Sequence, residues 1–257
     1  MAPLLEIKNL TCRRDEGSGS SIFHDLSLEV EEGEVLIITG RSGCGKTTLL
    51  KCVAELDVYQ TGDILLRGKK ATEYGIPTYR TLVQYVPQRP SLLPGTPLDF
   101  LRTIRSFRSR QARARSTRPS ASDSHASEGD YGAVRGSESI DPLELAAEWG
   151  IEKTMWKREW GTLSGGEGQR IALAVAVGVG GAEVVLLDEP TSALDAATMK
   201  TVEKSLVSML PPLKTQHSGR GGGVERKGTG PKALLWITHE AAQAERVGTR
   251  TVDLTRQ

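Results

Sequence analysis

The stretch that decides the fold is GRSGCGKTT, at residues 40–48. It fits the pattern G-x-x-x-x-G-K-[S/T], and it lies between a short apolar run, EVLIITG (34–40), and a helix-like segment, KTTLLKCVAEL (46–56). Glycines let the backbone curl so that successive N–H groups point inwards and form an anion site at the positive end of a helix. A chance glycine-rich turn is the alternative, but strand, motif and helix in this order favour a loop that binds the phosphates of a nucleotide.

This loop supplies the expected contacts with the phosphates and with a metal ion. In this motif the lysine, here Lys46, reaches the β- and γ-phosphates, and the hydroxyl after it, here Thr47, binds Mg²⁺. The residues of the loop that are expected to contact the nucleotide are Gly40, Arg41, Ser42, Gly43, Cys44, Gly45, Lys46, Thr47 and Thr48.

A second chemical element is VVLLDEPTSALD, at residues 184–195. Its apolar run predicts a buried strand that delivers two carboxylates to its carboxyl end, where open α/β sheets bind ligands. We expect Asp188 to hold Mg²⁺ through water and Glu189 to act as the general base that polarises the attacking water. Taken alone, an acidic pair after a strand is more often a helix cap or a solvated turn. The phosphate-binding loop tips the interpretation towards catalysis.

Two further polar residues follow predicted strands. His239 ends LLWITHE, and Gln88 lies in YVPQRP. Each is ordinary by itself, as a hydrogen-bonded residue at a strand end. With a γ-phosphate expected nearby, His239 becomes a candidate stabiliser of the charge that moves in the reaction. An amide can hold both a metal-bound water and a backbone group, so Gln88 is a candidate metal contact that responds to nucleotide.

The stretch LSGGEGQR, at residues 163–170, is a second glycine-rich turn ahead of an apolar helix. Ser164, Gly165 and Gly166 could form another anion site at a helix N-terminus. The alternative is a capping box, Ser164 to Glu167, which matches S-x-x-E and needs no ligand. Capping alone requires neither glycine, and this favours an anion.

Strand-like and helix-like segments alternate along the chain, which predicts an α/β core with a mostly parallel sheet covered on both faces. Further strands are expected at DILLRG (63–68), TLVQYV (81–86), EVVLLDEP (183–190) and ALLWITH (233–239), and helices at IALAVAVGV (171–179) and at 195–210. Near the start, LLEIKNL and IFHDLSLEV alternate apolar and polar residues and are expected to form an antiparallel β flap.

Composition excludes several classes of protein. The chain has 257 residues, with 33 Lys plus Arg against 32 Asp plus Glu, so its net charge gives no nucleic-acid or membrane signature. Three cysteines are too few and too irregular for a metal site or a disulfide framework, and they suggest a reducing compartment. The longest apolar stretch, 171–182, is too short to cross a bilayer, and no secretory signal is expected. Another chain would therefore supply any path through a membrane.

Two segments have compositions that are typical of unfolded chain. Residues 106–139 are rich in Ser, Arg, Ala and Gly, and residues 211–231 contain SGRGGGVERKGTG. Few large apolar side chains are available to offset the entropy of ordering them. We expect a disordered insert at 106–139 and a flexible surface loop at 211–231. The arginines of the insert could instead contact anionic lipid or RNA, but a solvated insert is favoured.

Six motifs in a fixed order give a resemblance to a known family. The set GRSGCGKTT, the glutamine of YVPQ, LSGGE, VVLLDEP, SALD and the histidine of WITHE resembles the ATP-binding cassette (ABC) ATPases. The sequence around these motifs looks most like that of the bacterial iron-export ATP-binding proteins and of the related plant subunits linked to aluminium tolerance. The resemblance implies a P-loop NTPase fold in one domain at 3–257. Its core would span about 3–89 and 162–257, with an inserted helical subdomain at about 90–161.

The resemblance also implies a dimer. In cassette ATPases two such domains face head to tail, and the signature serine and glycines of one bind the γ-phosphate of the ATP held by the other. Ser164, Gly165 and Gly166 would then serve a partner's nucleotide, and Asp195, in SALD, would lie at the dimer seam. Glu189, His239 and Lys46 would carry out ATP hydrolysis, with Thr47, Gln88 and Asp188 at the Mg²⁺.

Transport is the function that the resemblance implies. The expected partners are a second copy of this domain and a separate transmembrane permease, on which the loop around Gln88 would dock. The expected location is cytoplasmic, peripheral at the cytoplasmic face of a membrane, and the cargo would be a metal ion or a metal-linked solute. The alternative is a soluble cassette ATPase that acts on nucleic acid or ribosomes, but this chain carries neither two cassettes nor a long coiled coil between its motifs.

One position departs from the family pattern. Many cassette ATPases stack adenine on an aromatic residue that follows the first strand. In NLTCRR the corresponding residue is Cys12, Arg13 or Arg14. We therefore expect the aromatic stack to be absent or to be replaced by a guanidinium.

Overall fold

A computed structural model of the chain describes residues 2–14, 19–89, 94–107, 140–213, 226 and 228–256. The strands are β1 (Leu5–Arg13), β2 (Ser21–Val30), β3 (Val35–Thr39), β4 (Thr61–Leu66), β5 (Lys69–Lys70), β6 (Val83–Val86), β7 (Val184–Asp188), β8 (Ala233–Ile237) and β9 (Arg250–Asp253). The helices are α1 (Lys46–Val53), α2 (Ala71–Tyr74), α3 (Ile76–Leu82), α4 (Pro97–Ser106), α5 (Pro142–Glu148), α6 (Gly165–Gly178), α7 (Ala196–Met209) and α8 (Ala241–Val247). Short 3-10 turns lie at Lys153–Lys157, Trp160–Thr162 and Leu254–Arg256.

A parallel sheet of five strands, in the order β6-β7-β8-β3-β9, forms the centre of the fold. Every residue of β7 and β8 is buried, because helices or the second sheet cover both faces. Alternate residues pack on opposite sides: Leu186 and Leu235 join one hydrophobic cluster, whereas Leu187 and Trp236 join the other. The expected α/β core with a parallel sheet is confirmed.

An antiparallel sheet in the order β2-β1-β4-β5 lies beside this core. Strand β1 pairs with β2 through Leu5 and Val30, so the expected β flap is confirmed. The prediction that DILLRG belongs to the parallel sheet is wrong. It forms most of β4, which pairs antiparallel with β1. In β4, Ile64 and Leu66 are buried while Leu65 is only half-buried, which is the pattern of a strand with one covered face.

The segment TLVQYV begins as helix and not as strand. Helix α3 runs to Leu82, and β6 contains only the four residues from Val83 to Val86. Proline near the start of α3 favours the helix, since its fixed φ suits the first turn. The hydroxyl of Thr81 donates to the carbonyl of Thr78 at 2.8 Å, as expected inside a helix.

A group of short helical segments packs against α6. Helices α4 and α5 and the turn that follows α5 bury Trp149, Trp156 and Trp160 in the same hydrophobic cluster as α6. Of the expected insert at 106–139, only 106–107 is described, and residue 106 ends α4. The expected loop at 211–231 likewise lies mostly outside the described residues. Within the described ranges, no helix is long and apolar enough to span a bilayer.

Candidate active site

The predicted motifs meet at one edge of the parallel sheet. The phosphate-binding loop follows β3, Asp188 ends β7 and Glu189 comes directly after it, His239 follows β8, and Gln88 follows β6. These four strands are neighbours, so their carboxyl ends place the motifs side by side. The result is a cleft of about 380 Å³.

The phosphate-binding loop takes a shape that only glycine permits. Gly45 precedes α1 with a φ of 97°, in the left-handed region. A Cβ on Gly45 would lie 2.3 Å from Cγ2 of Ile22, so the side chain of β2 packs directly on the loop backbone. Among the predicted loop contacts, Ser42, Gly43, Gly45, Lys46, Thr47 and Thr48 line the cleft, whereas Gly40, Arg41 and Cys44 belong to the loop without lining it.

The ammonium of Lys46 lies inside the curl of the loop. Its Nζ donates to the carbonyl oxygens of Gly40 at 2.9 Å and of Arg41 at 3.0 Å. The residue is only 6% exposed, so these carbonyls and the cleft are its surroundings. A positive charge held at the floor of a glycine-rich loop suits an anionic ligand.

One carboxylate oxygen of Asp188 accepts hydrogen bonds from two hydroxyl groups. Thr47 Oγ1 donates to Asp188 Oδ2 at 2.8 Å, and the phenol of Tyr85 donates to the same oxygen at 3.0 Å. Burial, together with the negative charge of Asp188, raises the pKa of Tyr85, so this phenol stays protonated and remains a donor. The second oxygen, Oδ1, has no such donor in the described contacts.

The residues at this position fit Mg²⁺. A hydroxyl and a carboxylate 2.8 Å apart are hard oxygen ligands, and Mg²⁺ characteristically takes only one or two protein ligands beside phosphates and water. The described part of the chain contains no cluster of three or more His, Cys, Asp or Glu that could hold a metal.

Glu189 lies between the two polar residues that the sequence singled out. Gln88 Nε2 donates to Glu189 Oε2 at 2.6 Å, and His239 Nε2 lies 3.0 Å from Glu189 Oε1. The side chain of Glu189 is 23% exposed and that of His239 is 51% exposed, so both can be reached from the cleft. A half-buried carboxylate with an imidazole on one oxygen is an arrangement that can accept a proton from water.

One functional candidate escaped the sequence reasoning. Gln169, on α6, is 3% exposed, and its amide donates to the backbone oxygens of Gln88 and Glu189 at 3.0 and 3.2 Å. Its Oε1 accepts from the backbone N–H of Ala193 at 3.1 Å. The available signal was a glutamine directly before the apolar run IALAVAVG of this helix.

The signature turn is indeed a helix cap. Ser164 Oγ accepts from the N–H of Glu167 at 3.3 Å, and the Glu167 carboxylate accepts from the N–H of Ser164 at 2.7 Å. A Cβ on Gly166 would lie 3.0 Å from the backbone oxygen of Ala193, so close packing already accounts for that glycine. Around Gly165 there is more room, since the nearest atom to such a Cβ is 3.9 Å away.

The structure does not bring every predicted site residue to the cleft. Gln88, Ser164, Gly165, Gly166 and Asp195 do not line it. Ser164 and Asp195 are both exposed, and Asp195 caps α7 by accepting from the N–H groups of Ala197 and Thr198. The hydrogen bonds with Thr198 lower the pKa of Asp195.

The residue after the first strand is resolved among its three candidates. Arg14 lines the cleft together with Ile22. Cys12 is buried, with its Sγ 3.5 Å from the backbone oxygen of Val58, and burial raises the pKa of its thiol. Of the three candidates, Arg14 is therefore the residue that lines the cleft.

Comparisons with known proteins agree with this geometry. The model of the ABC transporter family matches residues 23–192. The chain is 30% identical to the phosphate import ATP-binding protein PstB 1 of Vibrio parahaemolyticus, over 97% of this chain and 83% of that protein. It is 31% identical to the Fe(3+) ions import ATP-binding protein FbpC of Haemophilus influenzae, over 81% of this chain and 52% of that protein.

Solved structures share the fold. One is the dimeric ATP-binding cassette MJ0796 in a post-hydrolysis state bound to ADP and Pi, with 24% identity, a TM-score of 0.68, and coverage of 97% of this chain and 93% of that chain. Another is a bacterial Atm1-family ABC exporter with ATP bound, with 22% identity, a TM-score of 0.64, and coverage of 95% and 36%. Motifs, cleft geometry and relatives together confirm the resemblance seen in the sequence: the chain belongs to the ABC transporter family, as an ATP-binding cassette of the ATPase class.

Proposed function

We propose that two copies of this chain enclose ATP and Mg²⁺ between them and hydrolyse the ATP to drive transport through a separate membrane subunit. The observation that carries this proposal is the end of β7. Asp188 lies 2.8 Å from the hydroxyl of Thr47, and the next residue, Glu189, lies 3.0 Å from the imidazole of His239. One strand end thus joins a metal-binding pair to a candidate base.

Nucleotide binding follows from the loop after β3. Its inward N–H groups and the ammonium of Lys46 bind the phosphates, so Lys46 exchanges its contacts with loop carbonyls for phosphate oxygens. Thr47 would hold Mg²⁺ through an oxygen lone pair while its hydroxyl hydrogen remains donated to Asp188, and Asp188 and Gln88 would hold metal-bound water. When bound, the metal neutralises charge that develops on the phosphates.

Proton transfer follows from the surroundings of Glu189. Both carboxylate oxygens already have one partner each, Gln88 and His239, and each keeps a further lone pair for a water proton. These partners fix the carboxylate, so that it accepts a proton from the attacking water without first reorienting. His239 and Lys46 then stabilise the charge on the departing phosphate.

The signature turn serves the other protomer. Ser164, Gly165 and Gly166 lie outside the chain's own cleft, at the exposed N-terminus of a fourteen-residue helix. We infer that they bind the γ-phosphate of ATP held by a second copy, and that Asp195 lies at the seam between the copies. The dimeric cassettes among the solved structures support this arrangement.

The proposed transport partner is a separate transmembrane permease, with this chain peripheral at the cytoplasmic face of the membrane. We place its docking site on the loop around Gln88 and on the helical segments within about 90–161. The curated relatives support a transport role, since their names describe import, and they do not favour action on nucleic acid. We propose a metal ion as the cargo. The Fe(3+) import relative supports this choice, and the phosphate import relative names the cargo to test against it.

Two substitutions test the ATPase. Lys46→Ala should abolish ATP binding because it removes the cation of the loop, and Glu189→Gln should keep ATP binding but abolish hydrolysis. Matched controls are Lys51→Ala, on the same helix, and Glu240→Gln, an exposed glutamate beside His239. Hydrolysis by Glu189→Gln at the rate of Glu240→Gln would refute the assignment of the base.

Co-purification tests the partner and the cargo. The tagged protein would be isolated from detergent-solubilised membranes, and the partner identified by mass. With the complex in lipid vesicles, ferric ion should stimulate ATP hydrolysis and phosphate should not. Stimulation by phosphate alone would overturn the choice of cargo while leaving the ATPase intact.

A further inference from the structure

The side-chain amide of Gln169 makes hydrogen bonds with the backbone of three residues, Gln88, Glu189 and Ala193. Its Nε2 donates to the backbone oxygen of Gln88 at 3.0 Å and to that of Glu189 at 3.2 Å. Its Oε1 accepts from the backbone N–H of Ala193 at 3.1 Å. Both amide hydrogens and one oxygen lone pair are therefore used, inside a site where the residue is only 3% exposed.

The backbone that Gln169 holds is under strain. Glu189 has a φ of 46°, in the left-handed region that a residue with a side chain seldom occupies. Such a conformation persists only where the surroundings fix it. The other backbone contacts of Glu189 are its N–H to the oxygen of Ile237, at 3.2 Å, and its oxygen to the N–H of Ser192, also at 3.2 Å. Among the described hydrogen bonds, the one from Gln169 is the only one that a side chain makes to the backbone of Glu189.

We propose that Gln169 is a positioning residue for ATP hydrolysis: it fixes the backbone at Glu189 and Gln88 so that the Glu189 carboxylate faces the attacking water. This inference rests on the proposed function, in which Glu189 is the base. Since the side chains of Gln88 and Glu189 also meet at 2.6 Å, the two residues are held together twice, once by each other and once by Gln169.

Gln169 lies on the same helix, α6, as the residues that are proposed to contact the second copy. It lies five residues after Ser164 on the helix whose first turn carries the signature residues. In the proposed dimer, the helix whose first turn contacts the second copy is therefore also the helix that carries the amide bound to the backbone of Glu189.

Only an amide fits the contacts. Met has nearly the same length but neither donates nor accepts here, so the carbonyl of Gln88 and the N–H of Ala193 lose this partner, and the carbonyl of Glu189 keeps only the N–H of Ser192. Glu keeps an acceptor for Ala193 but turns a carboxylate towards two carbonyl oxygens. Both variants should misplace the Glu189 carboxylate, and Glu should do so more strongly.

The test compares Gln169→Met and Gln169→Glu with the control Gln84→Met. Gln84 is also a buried glutamine whose amide donates to a backbone oxygen, that of Thr81 at 3.1 Å, but it makes no described hydrogen bond with Gln88, Glu189 or Ala193. For each variant, kcat, the KM for ATP, the affinity for ATP and the thermal unfolding midpoint are measured.

We expect kcat to fall about 10²-fold in Gln169→Met and further in Gln169→Glu, with the KM for ATP within about twofold of wild type, since a misplacement of about 1 Å can have this effect. Gln84→Met should lose stability but keep its kcat. A kcat in both Gln169 variants that equals that of Gln84→Met would overturn the inference, as would equal losses in kcat and ATP affinity. Retained ATP affinity shows that a variant is folded.

ATP hydrolysis by Glu189→Gln separates the failure of this inference from the failure of the proposed function. If Glu189→Gln hydrolyses ATP like wild type, the proposed function fails and the inference with it. If Glu189→Gln is inactive while both Gln169 variants hydrolyse ATP normally, only the inference fails.

Discussion

Ser164 allows the two interpretations of the signature turn to be separated. As a helix cap, its Oγ accepts from the N–H of Glu167 at 3.3 Å; as a ligand, it contacts a nucleotide held by another protomer. Ser164→Ala removes both roles. It should cost about 1 kcal/mol of stability through the lost cap, which corresponds to about 2–4 °C in the unfolding midpoint of a chain of this size.

Ser164→Asp removes only one role. Aspartate caps as well as serine and is stabilised by the positive end of α6, so the unfolding midpoint should stay within about 1 °C of wild type. A unit negative charge about 4 Å from a phosphate charge costs about 4 kcal/mol at an effective dielectric of about 20. That cost weakens ATP-driven dimerisation by about 10³-fold.

Sedimentation in a Glu189→Gln background provides the assay, because that variant keeps its ATP. Ser164→Asn is the uncharged control, since it caps the helix equally well. Thr96→Ala is the control for a lost cap, because Thr96 makes the same capping box at the start of α4. If Ser164→Asp forms an ATP-dependent dimer as readily as Ser164→Asn, the signature turn is only a cap and the reasoning is refuted.

Three further substitutions probe other parts of the site. Gly45→Ala should lower ATP affinity and the unfolding midpoint, because its φ of 97° is strained for alanine and its Cβ would lie 2.3 Å from Ile22; an unchanged midpoint would argue against this packing. Tyr85→Phe should lower the free energy of unfolding by about 1.5–3 kcal/mol and raise the Mg²⁺ concentration for half-maximal hydrolysis, because Asp188 loses a donor at 3.0 Å. The hydrogen bond from the backbone N–H before α6 lowers the pKa of Glu167, so its carboxylate stabilises the fold above its unfolded pKa of about 4.3, and this contribution disappears as pH falls through the lower folded value. The difference in unfolding midpoint between wild type and Glu167→Gln should therefore be present at pH 7 and shrink as the pH falls below about 4.3, and a difference independent of pH would contradict this linkage.

The central strands could be predicted because their burial is complete. Strands β7 and β8 are apolar along nearly their whole length. This pattern is typical of strands that are covered on both faces of a sheet. DILLRG contains a similar apolar run, but it pairs antiparallel with β1. The sequence of DILLRG alone does not indicate which strand it pairs with. The edge strand β9 has only one apolar residue in RTVD, Val252, and depends on its parallel pairing with β3.

The candidate site also has residues that the sequence predicts and residues that it does not. Residues such as Lys46 and Glu189 belong to compact motifs in which spacing and residue type already indicate the chemistry. Tyr85 and Gln169 make their contacts with residues far along the chain, 103 positions away for Asp188 and 81 for Gln88. Their roles depend on strand order, so only the folded chain brings these partners together.

The most direct test of the account is the oligomeric state of Glu189→Gln with and without ATP. Analytical ultracentrifugation combined with a count of bound nucleotide should show a monomer without ATP and, with ATP and Mg²⁺, a dimer that retains two ATP molecules. A protein that binds ATP fully but remains monomeric would contradict the claim that each copy closes over the nucleotide of the other.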